Sequence, residues 1–318
     1  MKKDIPRITE SDKANRFKHL LSSGITPDEF NELTAHRYSR STNLAMAKDW
    51  RVFNDFCLER SRPSLPATSL SVLEFIEHVS SKRKFSSIRR YAVTISVVHY
   101  ILGYKDPTQA REVTLVMSKL KLSGKSQVKQ TIPFTSAHLA QIHTKLAGSD
   151  VKKDARDLAM YYLLYECALK RRELKAMKVE DILEDDERYA VTIDERCYPL
   201  SAEASASLRG WLVHVPYSYL FRAIDRHGNV GETQLDDSSI HRVLQRASQL
   251  LGLNNSLGFS SQSGRVGAVQ EKTREGMKIR EIQEFGRWQS PAMPLQYSGK
   301  TSLSEQQKAI FKTKKNYD

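Results

Sequence analysis

Cysteine is scarce: the chain holds three in 318 residues, Cys57, Cys167 and Cys197, widely separated and odd in number. They fit neither a disulfide framework nor a zinc knuckle, and a reducing, cytoplasmic setting is the expectation. Long apolar runs are missing too. No stretch approaches the roughly 18 apolar residues of a spanning helix, so no membrane partner is expected. The opening MKKDIPRITE has two lysines and no apolar stretch behind them, unlike a secretory signal. A Walker-type glycine loop is absent, and the nine histidines show no H-E-x-x-H spacing. Neither ATP nor a metal is therefore expected as a cofactor.

Acidic residues are in deficit: 50 Lys and Arg stand against 37 Asp and Glu, a net charge of +13. A polyanion is the usual partner of such an excess, because cations that neutralise phosphates release condensed counterions. The basic residues recur in runs. Lys82-Arg83-Lys84 is followed by Arg89 and Arg90, then by Lys119, Lys121, Lys125 and Lys129. Lys170-Arg171-Arg172 follows an apolar stretch, and Lys312, Lys314 and Lys315 lie near the C-terminus. A solvated face accounts for any single run. Their recurrence favours a nucleic-acid partner, with the nine residues from Lys82 to Lys129 as candidate backbone contacts.

The first half reads as short helices. Thr26-Pro27-Asp28 is a capped helix start with Pro at the first position. Ser41 is the expected cap of a longer helix whose apolar stripe includes Leu44, Ala47, Trp50, Phe53 and Cys57. Further helices are expected from Thr68 or Ser69, from Ser86 or Ser87 to Gly103, and through Val113 to Leu120. KLSGKSQVKQT, which follows, is polar and basic and reads as a linker. In the second half Thr135 or Ser136 caps a helix to Leu146, and Asp154 to Tyr165 reads as a buried helix. Tyr189 to Ile193 and Cys197 to Leu200 suggest a small hairpin. Helices are expected over Ala202 to Val213, Ser238 to Leu251, Arg265 to Glu275, Ile279 to Phe285 and Ser302 to Phe311, with Pro291 and Pro294 interrupting the stretch before the last.

Three separate motifs carry chemistry: LKRREL (Leu169 to Leu174), SSQSGRVGA (Ser260 to Ala268) and GRWQSPAMPLQY (Gly286 to Tyr297), the last placing Trp288 nine residues before Tyr297. Together they resemble the tyrosine recombinase (phage integrase) family, which has an Arg before a Glu-Leu or Glu-Ile pair, a His-x-x-Arg box, and a His or Trp nine residues before a nucleophilic Tyr. The resemblance implies a mainly α fold with a small β-sheet, an α+β catalytic domain joined to a helical core-binding domain in a C-shaped clamp. The expected boundaries are a flexible segment over 1–24, a helical (SAM-like) DNA-binding domain over 25–121, a linker over 122–131, and a catalytic domain with a tail helix over 132–318.

The resemblance also implies roles. Tyr297 would be the nucleophile of a 3′-phosphotyrosine intermediate, needing neither metal nor ATP. Arg265 and Lys170 would meet phosphate charge, Trp288 would offer its indole N–H, and Glu173 would orient a basic neighbour. Gln262 stands where the family has His, and Lys170 where it has Arg, unless Arg171 or Arg172 takes that place by a shifted register. The family's hairpin Lys has no counterpart, and Arg196 is the basic residue of that turn. Gln cannot exchange a proton as His does, and Lys lacks the bidentate fork of Arg. Two readings stay open. One is a working recombinase of a mobile element, tetrameric on two DNA sites, with accessory proteins unknown. The other is a weakened or inactive relative that binds a DNA sequence as a regulator or accessory factor.

Overall fold

The structure is a computed structural model that describes residues 5–124, 131–186, 188–253 and 258–299. Lys125, Lys129 and the tail helix expected over 302–311 lie outside the described residues. The chain divides into two compact units, Met1–Lys129 and Gln130–Asp318. No helix among the described residues is long and apolar enough to cross a membrane.

The first unit is helical: α1 (Ser11–Ser23), α2 (Pro27–Leu33), α3 (Arg40–Leu58), α4 (Ser69–Ser80), α5 (Phe85–Ile101) and α6 (Arg111–Gly124). Thr26 caps α2 in a reciprocal box with Glu29, and Thr68 caps α4. Ser39, not Ser41, caps α3, and α5 begins at Phe85 after Lys84. The core is an aromatic cluster in which Phe75 meets Phe53, Phe56 and Tyr91 edge to face at 5.1, 5.3 and 5.5 Å. Leu44, counted in the α3 stripe, points outward.

Within the segment 1–24, expected as a flexible lead, the described residues pack onto the first unit. Phe17 and Leu21 of α1 are buried, and the Trp50 indole N–H donates to the Leu21 carbonyl at 2.8 Å. Ile5 is buried as well, and the Ile8 amide donates to the Ile101 carbonyl. An amphipathic stripe of only a few apolar residues is enough when a buried Trp supplies the partner. The helix at the linker end is also longer than expected, with α6 running to Gly124.

The second unit is mixed: α7 (Ser136–Leu146), α8 (Lys152–Glu166), α9 (Arg171–Ala176), β1 (Ile182–Asp185), β2 (Arg188–Ile193), β3 (Arg196–Pro199), α10 (Ala202–Leu212), β4 (Arg222–Ile224), β5 (Val230–Gln234), α11 (Asp237–Leu250), α12 (Ser263–Arg274), α13 (Ile279–Phe285) and α14 (Ala292–Tyr297). β1, β2 and β3 form an antiparallel sheet, with Val191 opposite Ile182 and Tyr198. The β4–β5 hairpin falls in a stretch to which the sequence assigned no element. Its turn is built on Asp225, which accepts from the amides of His227 and Asn229. α8 is the core helix, buried without a break from Arg156 to Leu164. Pro294 lies inside α14, in its first turn, where a missing N–H costs no helical bond. The expected interruption there is instead a helix.

Candidate active site

The depth of Arg265 follows from its glycine neighbours. A Cβ at Gly264 would stand 2.7 Å from the Leu164 carbonyl oxygen of α8, and one at Gly267 would stand 1.8 Å from the Phe134 carbonyl oxygen. Only hydrogen at both positions lets α12 lie this close, and the Phe134 amide then bonds the Ser263 carbonyl at 2.9 Å. Between them, Arg265 is 2% exposed.

Its guanidinium donates to the Ala168 carbonyl and, at 2.8 Å, to the Gly286 carbonyl. Trp288 stacks over it, 4.0 Å from guanidinium carbon to ring centre. Gly286 makes this possible, because a Cβ there would stand 1.6 Å from the Trp288 ring. Among the described residues no carboxylate pairs with Arg265. Burial, and then the nearby charge of Arg287, depress its pKa to about 10.

Tyr297 ends α14. Its ring meets Trp288 edge to face at 6.1 Å, and its hydroxyl lies 3.5 Å from Gln262 Oε1, a long contact. Burial raises the phenol pKa, and the Arg265 charge opposes that rise. Gln262 is exposed at the start of α12.

On the other side of Arg265, Lys170 immediately precedes α9. Its ammonium lies 2.7 Å from Glu173, and its amide donates to the same carboxylate. Arg171 and Arg172 are exposed, with Arg171 turned to Asp237. Glu173 has a second cation, Arg287, with Nη2 2.7 Å from Oε2. Burial alone would raise the Glu173 carboxyl, but its bonds from Arg287 and Lys170 outweigh burial and hold it at about 2. No motif singled out Arg287. It gives no signal in the sequence, because its partner Glu173 lies 114 positions away.

The structure thus brings Tyr297, Gln262, Trp288 and Arg265 together, and links Lys170 and Glu173 to them through Arg287, which shares the Ala168 carbonyl with Arg265. It does not bring Arg196 to them. The Arg196 guanidinium donates to the Glu284 carbonyl and makes no hydrogen bond or ion pair to Arg265, Trp288 or Tyr297. It lines a cavity of about 700 Å³ with Tyr165, Glu271 and Phe285.

Residues 134–302 match the model of the phage integrase family, more than half of the chain. The chain belongs to that family. It is 21% identical over 282 residues to recombinase Cre of Escherichia phage P1, covering 80% of this chain and 81% of the relative. An integrase/recombinase XerD homolog of Selenomonas ruminantium is 24% identical over 283 residues, with 81% of each covered. In three dimensions the fold is similar to the Tn1549 transposon integrase in complex with circular intermediate DNA, at a TM-score of 0.62 and 14% identity, covering 87% of this chain and 98% of that one. The matched residues fall within the second unit, where the residues above converge.

The basic residues of the first unit are less uniform. Lys82, Arg83, Lys84, Arg89, Lys119 and Lys121 are exposed. Arg90 is exposed as well, but its Nε and Nη2 grip Asp49 at 2.6 and 2.8 Å, and the Asp49 side chain is 1% exposed. Arg90 thus neutralises a buried carboxylate, a structural role beside the phosphate contact expected of it.

Proposed function

We propose that the protein is a site-specific DNA recombinase that cuts through Tyr297. The observation that carries this reading is Arg265, a buried guanidinium held by neutral carbonyls and a ring face, with a phenol close by. A buried cation without a counter-ion is costly, and a phosphate would supply the missing charge. Because the Trp288 ring covers the guanidinium, phosphate reaches it only when the indole shifts. The Tyr297 oxygen would then bond the phosphorus, the bond to the 5′ oxygen would break, and the 3′ phosphate would stay on the enzyme. Charge gathering on the phosphoryl oxygens is met by side chains, and the covalent bond keeps its energy for the reverse step, so the step draws on neither metal nor ATP. Exposed Lys82, Arg83, Lys84, Arg89, Lys119 and Lys121 would hold the duplex backbone. Strand exchange would need a tetramer on two sites.

A second reading has one observation in its favour. The Tyr297 hydroxyl faces a glutamine amide instead of a base, which suits a sequence-specific DNA-binding regulator that cuts poorly. A nicked duplex separates the two. The recombinase reading expects a covalent protein–DNA band with the wild type and none with Tyr297→Phe; tight binding without a band favours the regulator.

A further inference from the structure

Arg287 does something that the motifs do not account for. It stands at φ +56°, a region where a side chain other than glycine persists only when its surroundings fix it. Here they do. Its side chain is 5% exposed and forks onto Glu173 through Nη2 at 2.7 Å and Nε at 3.3 Å. It donates further to the carbonyls of Cys167, Ala168 and Phe285 and to the Tyr198 hydroxyl. The Ala168 carbonyl is shared, since Arg265 donates to it as well.

Lys170 is placed differently. Its side chain is 25% exposed, and Glu173 is its one side-chain hydrogen-bond partner among the described residues. An ammonium has three donors and no fixed fork, so it exchanges partners readily. One carboxylate neutralises one of the two cations. The fork and the deeper burial assign it to Arg287.

We propose that Arg287 is a positioning residue: by holding the Glu173 carboxylate it leaves the Lys170 ammonium to the DNA phosphate that reaches Arg265. This rests on the recombinase reading. It divides between two residues, distant in sequence, what a single arginine does by binding a carboxylate and a phosphate together. Lys170 is the group that touches substrate. Arg287 acts through Glu173.

The test uses the full chain and a duplex enriched by it from a randomised pool, nicked to trap adduct. Initial adduct rates are compared for the wild type, Arg287→Met, Glu173→Gln and the double variant, with melting curves to confirm folding. Arg287→Met is expected to slow adduct formation at least about 100-fold, because Glu173 then captures Lys170. In the Glu173→Gln background the same change is expected to cost less than about tenfold. Losses that multiply would overturn the proposal. If the wild type forms no adduct, the covalent reading fails by itself, and dissociation constants for the intact duplex in the same four proteins decide the positioning role. Coupling of about fivefold or more there supports it, and independent effects remove it. Should Arg287→Met fail to fold, Arg287→Lys, which keeps the charge without the fork, enters the same cycle under the same criteria.

Discussion

The guanidinium of Arg265 and the indole of Trp288 are stacked at 4.0 Å, and the ring that stabilises the cation is also the cover over it. Binding DNA must therefore change the surroundings of Trp288. Trp50 and Trp211 are fully buried, so a duplex-dependent change in tryptophan fluorescence should come from Trp288 and vanish in Trp288→Phe. No change on saturating duplex would mean that phosphate does not reach Arg265.

Gly286→Ala tests the same relationship from the backbone. The added methyl would overlap the Trp288 ring, so the ring must leave Arg265. Adduct formation should fall at least about tenfold, while Tm falls less than with a backbone clash, because the methyl meets a side chain that can turn away. Gly267→Ala is the contrast. Its methyl meets backbone, the Phe134 carbonyl, and should destabilise the second unit by about 1–3 kcal/mol, read as a lower Tm.

The carboxyl of Glu173, held at about 2 against an ordinary 4.5, makes stability depend on pH. The folded pKa lies below the unfolded one, so the contribution is fully present above about pH 4.5 and is lost as pH falls toward 2. Burial opposes the two cations, so its size is at most about 3 kcal/mol. Glu173→Gln should flatten the acid limb of a Tm-against-pH curve in that window. Parallel limbs would mean that the ion pairs do not form in solution.

Gln262→His should raise adduct yield about tenfold or more near neutral pH, because an imidazole in reach of the Tyr297 oxygen can take its proton. In the wild type, with the phenol pKa raised by burial, the rate should climb with pH through the alkaline range. The histidine variant should reach its plateau earlier. Identical pH profiles would place residue 262 outside proton transfer.

Arg89 and Arg90 are adjacent in sequence and should behave in opposite ways. Arg89→Ala should lower the salt dependence of DNA binding by about one counterion and leave Tm unchanged. Arg90→Ala should lower the Tm of the first unit, since it leaves Asp49 buried and uncompensated. A Tm loss from Arg89→Ala, or none from Arg90→Ala, would reverse these roles.

These pairs also show where the sequence was legible. The three motifs carry Arg265, Trp288 and Tyr297 because their spacing is local. Helix starts with a capping Thr, at Thr26, Thr68 and Thr135, are readable because the cap bond is local. Arg90 and Arg287 are not readable in this way. Each is an ordinary basic residue until a carboxylate distant in sequence, Asp49 or Glu173, is folded against it. The β4–β5 hairpin is short and its strands largely exposed, so it carries no apolar alternation to betray it. α1 went unread because its few core residues look like a polar segment until Trp50 is placed above them.

The central claim is that the Tyr297 oxygen takes a DNA phosphate. Peptide mapping by mass spectrometry of the adduct trapped on a nicked, protein-enriched duplex measures this directly. The account predicts a nucleotide remnant on the peptide containing Tyr297, attached through phosphate to that residue, and no adduct with Tyr297→Phe. A remnant on any other residue, or an undiminished adduct with Tyr297→Phe, would contradict it.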